Sequence, residues 1–183
     1  MKLLQVLNRL LYLEKTLIFV DSFVDEQRMN RLYEKFILEY YAKECPQVKA
    51  TASQIRWILD DGIGTMLPSM QSDIMLTKGS DVLIIDAKYY THTTQVQYDV
   101  HTLHSGNLYQ IFTYVKNKDA EFGDKEHSVS GMLLYAATDE DIQPDSSYMM
   151  SGNRISVKTL DLNQPFEKIA EQLNSIVCEN FNI

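Results

Sequence analysis

The plainest periodicity in the chain lies between residues 25 and 46, "DEQRMNRLYEKFILEYYAKECP". Met29, Leu32, Tyr33, Phe36, Ile37, Tyr40 and Tyr41 recur at three- and four-residue intervals. That spacing predicts an amphipathic helix with one packed face, ended by Pro46. At about 100° per residue Glu34 falls at the edge of the stripe, beside Ile37 and Tyr41, so its carboxylate can point along the packed surface. Leu3, Val6, Leu7, Leu10 and Leu11 predict an earlier helix with a buried face. Asn8, Arg9, Glu14 and Lys15 interrupt that run, so neither an export signal nor a membrane span fits. "TLIFVDSF" reads as a short connector.

Further along, the period shortens. "SQIRWILDD" reads as a strand and "GIGTMLPSM" as a turn and approach segment. Residues 73–77 and 82–90 predict a hairpin with Lys78, Gly79, Ser80 and Asp81 as its loop. In the second strand Val82, Ile84, Asp86, Lys88 and Tyr90 share one face, and Leu83, Ile85, Ala87 and Tyr89 share the other. Large apolar groups on both faces place this strand at the centre of a sheet. "THTTQVQYDVHTL", residues 91–103, reads as a loop. "SGNLYQIFTYVKNK" reads as a helix capped by Ser105, with Leu108, Ile111, Phe112 and Val115 as its apolar stripe and Gln110 and Tyr114 nearly opposite. "VSGMLLYAA" is a strand, "DEDIQPDSS" an acidic loop, "NRISVKTLDL" a last strand, and "PFEKIAEQLNSIVCENF" a closing amphipathic helix. The order predicts an α/β fold with a mixed sheet flanked by helices.

The 183 residues, 45% hydrophobic and 23% charged, suit one domain. The expected divisions are an amino-terminal helix and connector over 1–24, a core over 25–136, and a carboxy-terminal strand and helix over 137–183. Cys45 and Cys178 form no disulfide framework or metal spacing, which fits a reduced cytoplasmic compartment. The net charge is −8. Residues 1–60 carry nine Lys+Arg and eight Asp+Glu, and the remainder eight and seventeen. Such a chain does not grip nucleic acid with its whole surface, and any such role needs a local basic strip, a metal ion or a partner that holds the strand.

Two aspartates stand where folding alone would want apolar groups. Pairing Thr77 with Val82 sets Asp73 opposite Asp86, with Cβ atoms about 4.5–5.5 Å apart. Two carboxylates that close repel, so one takes up a proton or a cation sits between them. Magnesium, with manganese as a substitute, prefers such oxygen ligands and keeps several waters. The Ala87 carbonyl offers a further ligand. Lys88, one side-chain repeat along the same face, can orient a water or offset charge on a phosphorus. This set suits metal-assisted phosphodiester hydrolysis. His92, His101 and His104 lie in or near a polar stretch, but their spacing matches no zinc signature.

The pattern Asp73…Asp86-Ala87-Lys88 resembles the signature of the PD-(D/E)xK nuclease superfamily. "RMNRLYEKFILEYY", "VLIIDAKYY" and "NLYQIFTYV", in that order, narrow it to a resemblance to the McrC family, the nuclease subunit of McrBC-type 5-methylcytosine restriction systems. These segments cover residues 28–41, 72–90 and 107–115. The resemblance implies a restriction-endonuclease-like fold with an αβββαβ core, and cleavage of DNA. It implies Asp73, Asp86 and Glu34 as metal-binding carboxylates, Lys88 as the catalytic lysine, and Gln110 with Tyr114 as a Gln-x-x-x-Tyr pair. Ser72 departs from the family's usual proline. The resemblance also implies a McrB-like GTP-hydrolysing motor as partner, which an additional domain would engage; no room for that domain is expected here. Cutting both strands would take two centres, hence a dimer. The alternatives are a RecB-like repair or recombination nuclease, and a non-catalytic nuclease-fold adaptor that binds a GTP- or ATP-driven motor.

Overall fold

The computed structural model describes residues 22–90, 94–97 and 100–183, so the helix expected near the amino terminus lies outside the described residues. The long amphipathic stretch forms helix α1 (Ser22–Glu44). Strands β1 (Lys49–Thr51), β2 (Gln54–Ile55), β3 (Met70–Gln71), β4 (Ile74–Lys78) and β5 (Asp81–Lys88) follow. Then come β6 (Thr94–Gln97), β7 (Val100–Leu103), α2 (Ser105–Ala120), β8 (Ser128–Ala136), β9 (Ser146–Met150), β10 (Asn153–Leu160) and α3 (Phe166–Phe181). Six strands form one mixed sheet in the order β1-β4-β5-β8-β10-β9. The β5–β8 and β8–β10 pairs are parallel, and the other pairs are antiparallel.

β5 is central, as its two-sided apolar pattern predicts. Leu83, Ile85 and Ala87 face Tyr33, Ile37 and Tyr41 of α1 and Leu173 and Val177 of α3. Val82 and Ile84 belong to the opposite layer, with Ile111, Tyr114 and Val115 of α2. Among the described residues no helix is long and apolar enough to cross a membrane.

The hairpin keeps the predicted register, with Thr77 paired to Val82, but its loop is two residues, not four. Lys78 and Asp81 join the ladder and leave Gly79 and Ser80 as the turn. Gly79 takes φ of 62°, the positive value that a two-residue turn compatible with strand twist needs at its first central position. The strand expected over "SQIRWILDD" stops after Gln54–Ile55. Beyond Ile55 side chains rather than a strand partner take the polar groups: Asn117 Oδ1 accepts the Ile58 N–H at 2.9 Å, the Trp57 indole donates to the Pro68 carbonyl at 2.7 Å, and Asp61 Oδ1 accepts the Ile63 N–H at 2.9 Å in a turn. Residues 91–103 are not all loop, since β6 and β7 pair antiparallel from Thr94↔Leu103 to Gln97↔Val100. The β-branched Thr94, Val96, Val100 and Thr102 suit pairing although no apolar alternation announces it. Ser105 is not a cap; His104 holds that position, with no side-chain cap bond. The acidic loop gives way at Ser146 to β9, an exposed edge strand held by β10.

Helix α2 comes unusually close to the sheet at Gly131. A Cβ there would lie 2.7 Å from Val115 Cγ2 and 2.8 Å from Ile111 Cγ1, on side chains with little freedom to yield. Gly131→Ala should therefore lower stability by about 1–3 kcal/mol. Urea denaturation reads this directly, and an unchanged midpoint would contradict the close approach.

Candidate active site

The hairpin register carries the predicted geometry to the end of the sheet. The β4–β5 ladder closes at Ile74↔Ile85, so the next step sets Asp73 against Asp86. Ile74 and Ile85 point to the α1 layer, so Asp73, Asp86 and Lys88 fall on the α2 side by alternation. Asp86 is wholly buried, at 0% exposure, in line with its place after Val82–Ile85. Lys88 Nζ lies 3.0 Å from Asp86 Oδ1 and 2.9 Å from Oδ2, and the hydrogen bond goes to Oδ1. Both Asp86 oxygens therefore lie within ion-pair distance of the ammonium. The amine is turned inward.

β5 runs past the end of β4, and that mismatch positions the site. The odd-numbered residues of β5 direct their backbone groups toward β4, so beyond Ile85 the groups of Ala87 and Tyr89 have no strand to meet. Asp73 Oδ2 accepts the Ala87 N–H at 2.9 Å. Asn30 Oδ1, from α1, accepts the Tyr89 N–H at 2.8 Å. The Ala87 carbonyl, on the same edge, has no ladder partner on β4. Asn30 Nδ2 also donates to Glu34 Oε1. Although α1 packs on the far layer, Glu34 meets the site at this open end, close enough to feel Asp73 and Lys88.

The entry to Asp73 is fixed by Ser72, which is buried. Its N–H and hydroxyl both donate to the Ser53 carbonyl, at 3.0 and 3.2 Å, and the hydroxyl accepts the Ser53 N–H at 3.3 Å. These bonds constrain the backbone at the position where the family resemblance expects proline. On the other flank Tyr135 pairs with Lys88 across β5–β8. Its hydroxyl accepts from Asn107 Nδ2 at 3.0 Å, and Asn107 Oδ1 accepts the Tyr90 hydroxyl at 3.3 Å.

Three carboxyl groups thus face one ammonium. Burial pushes Asp86 up to about 7; Lys88 opposes the shift and Asp73 reinforces it. Asp73 is raised too, chiefly by burial, with Lys88 and the Ala87 N–H opposing. Glu34 is pushed up to about 7 by burial and then by Asp73, against Lys88, Arg31 and the Asn30 bond. Burial alone would lower the Lys88 pKa, but Asp86 and Asp73 more than offset it.

The donor set fits a hard divalent cation. It supplies oxygens, and its carboxyls outnumber the single ammonium that Asp86 is paired with. Among the described residues no three His, Cys, Asp or Glu side chains close into a ready-made cage. Magnesium, which is held by one or two carboxylates and keeps its waters, does not need one.

The sequence profile of the McrBC 5-methylcytosine restriction system component family matches residues 27–136. The chain belongs to this family. It is also 30% identical over 164 residues to the type IV methyl-directed restriction enzyme EcoKMcrBC of Escherichia coli (strain K12), a match covering 88% of this chain and 46% of that protein. The chain therefore spans about half the length of the curated relative it matches.

The matched region holds Glu34, Asp73, Asp86, Ala87, Lys88, Gln110 and Tyr114. The structure gathers the first five at one end of the sheet. Gln110 stands apart: its Nε2 donates to Tyr114 Oη at 3.0 Å rather than to any of the three carboxyls. Tyr114 is not on a solvated face but packs with Ile111 and Val115, since α2 buries a wider stripe than the one read from Leu108, Ile111, Phe112 and Val115. His92 lies outside the described residues. Sequence reasoning missed Asn30, Ser72 with Ser53, and the Tyr90–Asn107–Tyr135 chain. Ser72 was visible only as a departure from proline, and Asn30 left a trace as well, four residues before Glu34 and so one turn away on the same helix.

Proposed function

We propose that this member of the McrBC family is the DNA-cleaving part of a modified-cytosine restriction system, a magnesium-dependent endonuclease with a PD-(D/E)xK fold. The observation that carries the reading is the convergence of Asp73, Asp86 and Lys88 on one face at the open end of β5, with the buried Asp86 carboxylate ion-paired to Lys88. Asp73, Asp86, the Ala87 carbonyl and Glu34 would hold the ion. When bound, magnesium supplies Lewis-acid stabilisation of a phosphodiester and lowers the pKa of water.

The protein's own groups do the rest. Asp73 holds the strand end by accepting from Ala87 and so keeps Asp86 and Lys88 in register. Lys88 presents an ammonium at the mouth of the acidic cluster, where it orients the attacking water and offsets charge on the phosphorus. With raised pKa values, Glu34 and Asp86 can hold a proton near neutrality until a cation displaces it. The acidic balance suits a division of labour in which a GTP-hydrolysing partner holds and selects the DNA. The methylated-cytosine target and that partner are inferred from the family.

Removal of metal tests the reading. With purified protein and supercoiled plasmid, magnesium or manganese should give nicked product and EDTA should stop it. Calorimetry should show cation binding. A non-catalytic adaptor would show neither binding nor nicking, and that pair of results would end the proposal.

A further inference from the structure

Asn30 makes two bonds, one along its own helix and one across to the end of the sheet. Its Oδ1 accepts the N–H of Tyr89, the residue directly after Lys88, at 2.8 Å. Its Nδ2 donates to Glu34, one helical turn on. One amide group therefore links the backbone beside the lysine to the carboxylate that approaches from the opposite layer. The Tyr89 N–H needs such an acceptor because β4 ended before reaching it. Glu34 is a long, flexible side chain on a helix that packs against the other face of the sheet; Lys88 and Arg31 attract its carboxylate, and Asn30 supplies the directional bond that orients it. With the Ala87 N–H taken by Asp73, the backbone on both sides of Lys88 is tied to side chains of the acidic cluster.

We propose that Asn30 is a positioning residue for the site: its amide sets the Glu34 carboxylate and the β5 end in one fixed relation, so that Glu34 completes the oxygen set around a divalent cation. The role rests on the nuclease reading given above. Carboxylates that ligate metals are themselves oriented by such outer hydrogen bonds, and losing one typically weakens binding 10–100-fold.

Calorimetry with manganese chloride on the whole chain tests this, with thermal melting in EDTA as a control for folding. Asn30→Ala should bind manganese about 10-fold or more weakly than wild type. Asn30→Asp keeps an acceptor for Tyr89 but sets a carboxylate instead of a donor against Glu34, so it should also bind weakly, while in EDTA at pH 5.5, where the clustered carboxyls hold protons, it should melt near the wild-type temperature. In a Glu34→Ala background, Asn30→Ala should change affinity less than about 2-fold, because the two side chains act as one unit. A merely structural asparagine would instead lower the melting temperature in Asn30→Ala, leave manganese affinity unchanged in Asn30→Asp, and add its effect to that of Glu34→Ala. That result overturns the positioning role while leaving the nuclease reading intact. A wild-type protein that binds no manganese overturns both.

Discussion

Plasmid cleavage should disappear, and the metal-free protein should become harder to melt, when Asp86 is replaced by asparagine. The two effects have one cause. Asp86 is fully buried, and its carboxyl is pushed up to about 7 mainly by burial, with Asp73 adding to the shift. Against an ordinary aspartate pKa near 3.9, the folded state holds a proton that the unfolded chain gives up. A group raised in this way contributes stability that is complete below its unfolded pKa and is lost as pH rises through the folded value. Metal-free wild type should therefore melt several degrees higher at pH 5.5 than at pH 8, with Glu34 and Asp73 acting in the same sense. Asp86→Asn removes the buried charge, so its melting temperature should exceed that of wild type at pH 8 and vary less between the two pH values. Magnesium should raise the wild-type melting temperature at pH 8 and leave the variant unmoved, since only a cation that binds the folded form stabilises it. Scanning fluorimetry in EDTA and in magnesium reads all of this. A variant that melts below wild type at pH 8 would mean that Asp86 earns its place through Lys88 rather than through a cation.

Lys88→Met should separate chemistry from binding. Methionine keeps much of the side chain's length and removes only the ammonium. Cleavage should fall by roughly 10²–10³-fold, the scale of losing one charged group aimed at the transition state. Manganese affinity should be equal to or tighter than wild type, because Lys88 Nζ sits 3.0 and 2.9 Å from the two oxygens of Asp86 and competes with a cation for them. Single-turnover nicking at saturating metal, alongside calorimetry, distinguishes the outcomes. A loss of cation binding in Lys88→Met would show that the lysine builds the site rather than acting in it.

Much of this site was legible before any coordinates. Thr77↔Val82 pairing could be read from the turn residues, and a slip of one residue would have put Asp73 on the opposite face from Asp86. Expecting four loop residues instead of two did no harm, since Lys78↔Asp81 extends the same ladder without shifting it. Gln110 shows the limit. Its type and its spacing from Tyr114 were visible, but not that its Nε2 donates to Tyr114 Oη.

The linear pattern by itself determined the central strand, its hairpin partner and the facing of Asp73, Asp86 and Lys88. A period of two and a tight turn are local properties, and together they set which residues share a face and which stand opposite each other across the hairpin. Only the tertiary structure decided where β4 stops short of β5, which side chains take the backbone groups exposed there, and that Asn30 and Glu34 reach them from the other layer. Those contacts join residues up to 59 positions apart, and their partners are chosen by how helix and sheet pack, which no short-range periodicity encodes.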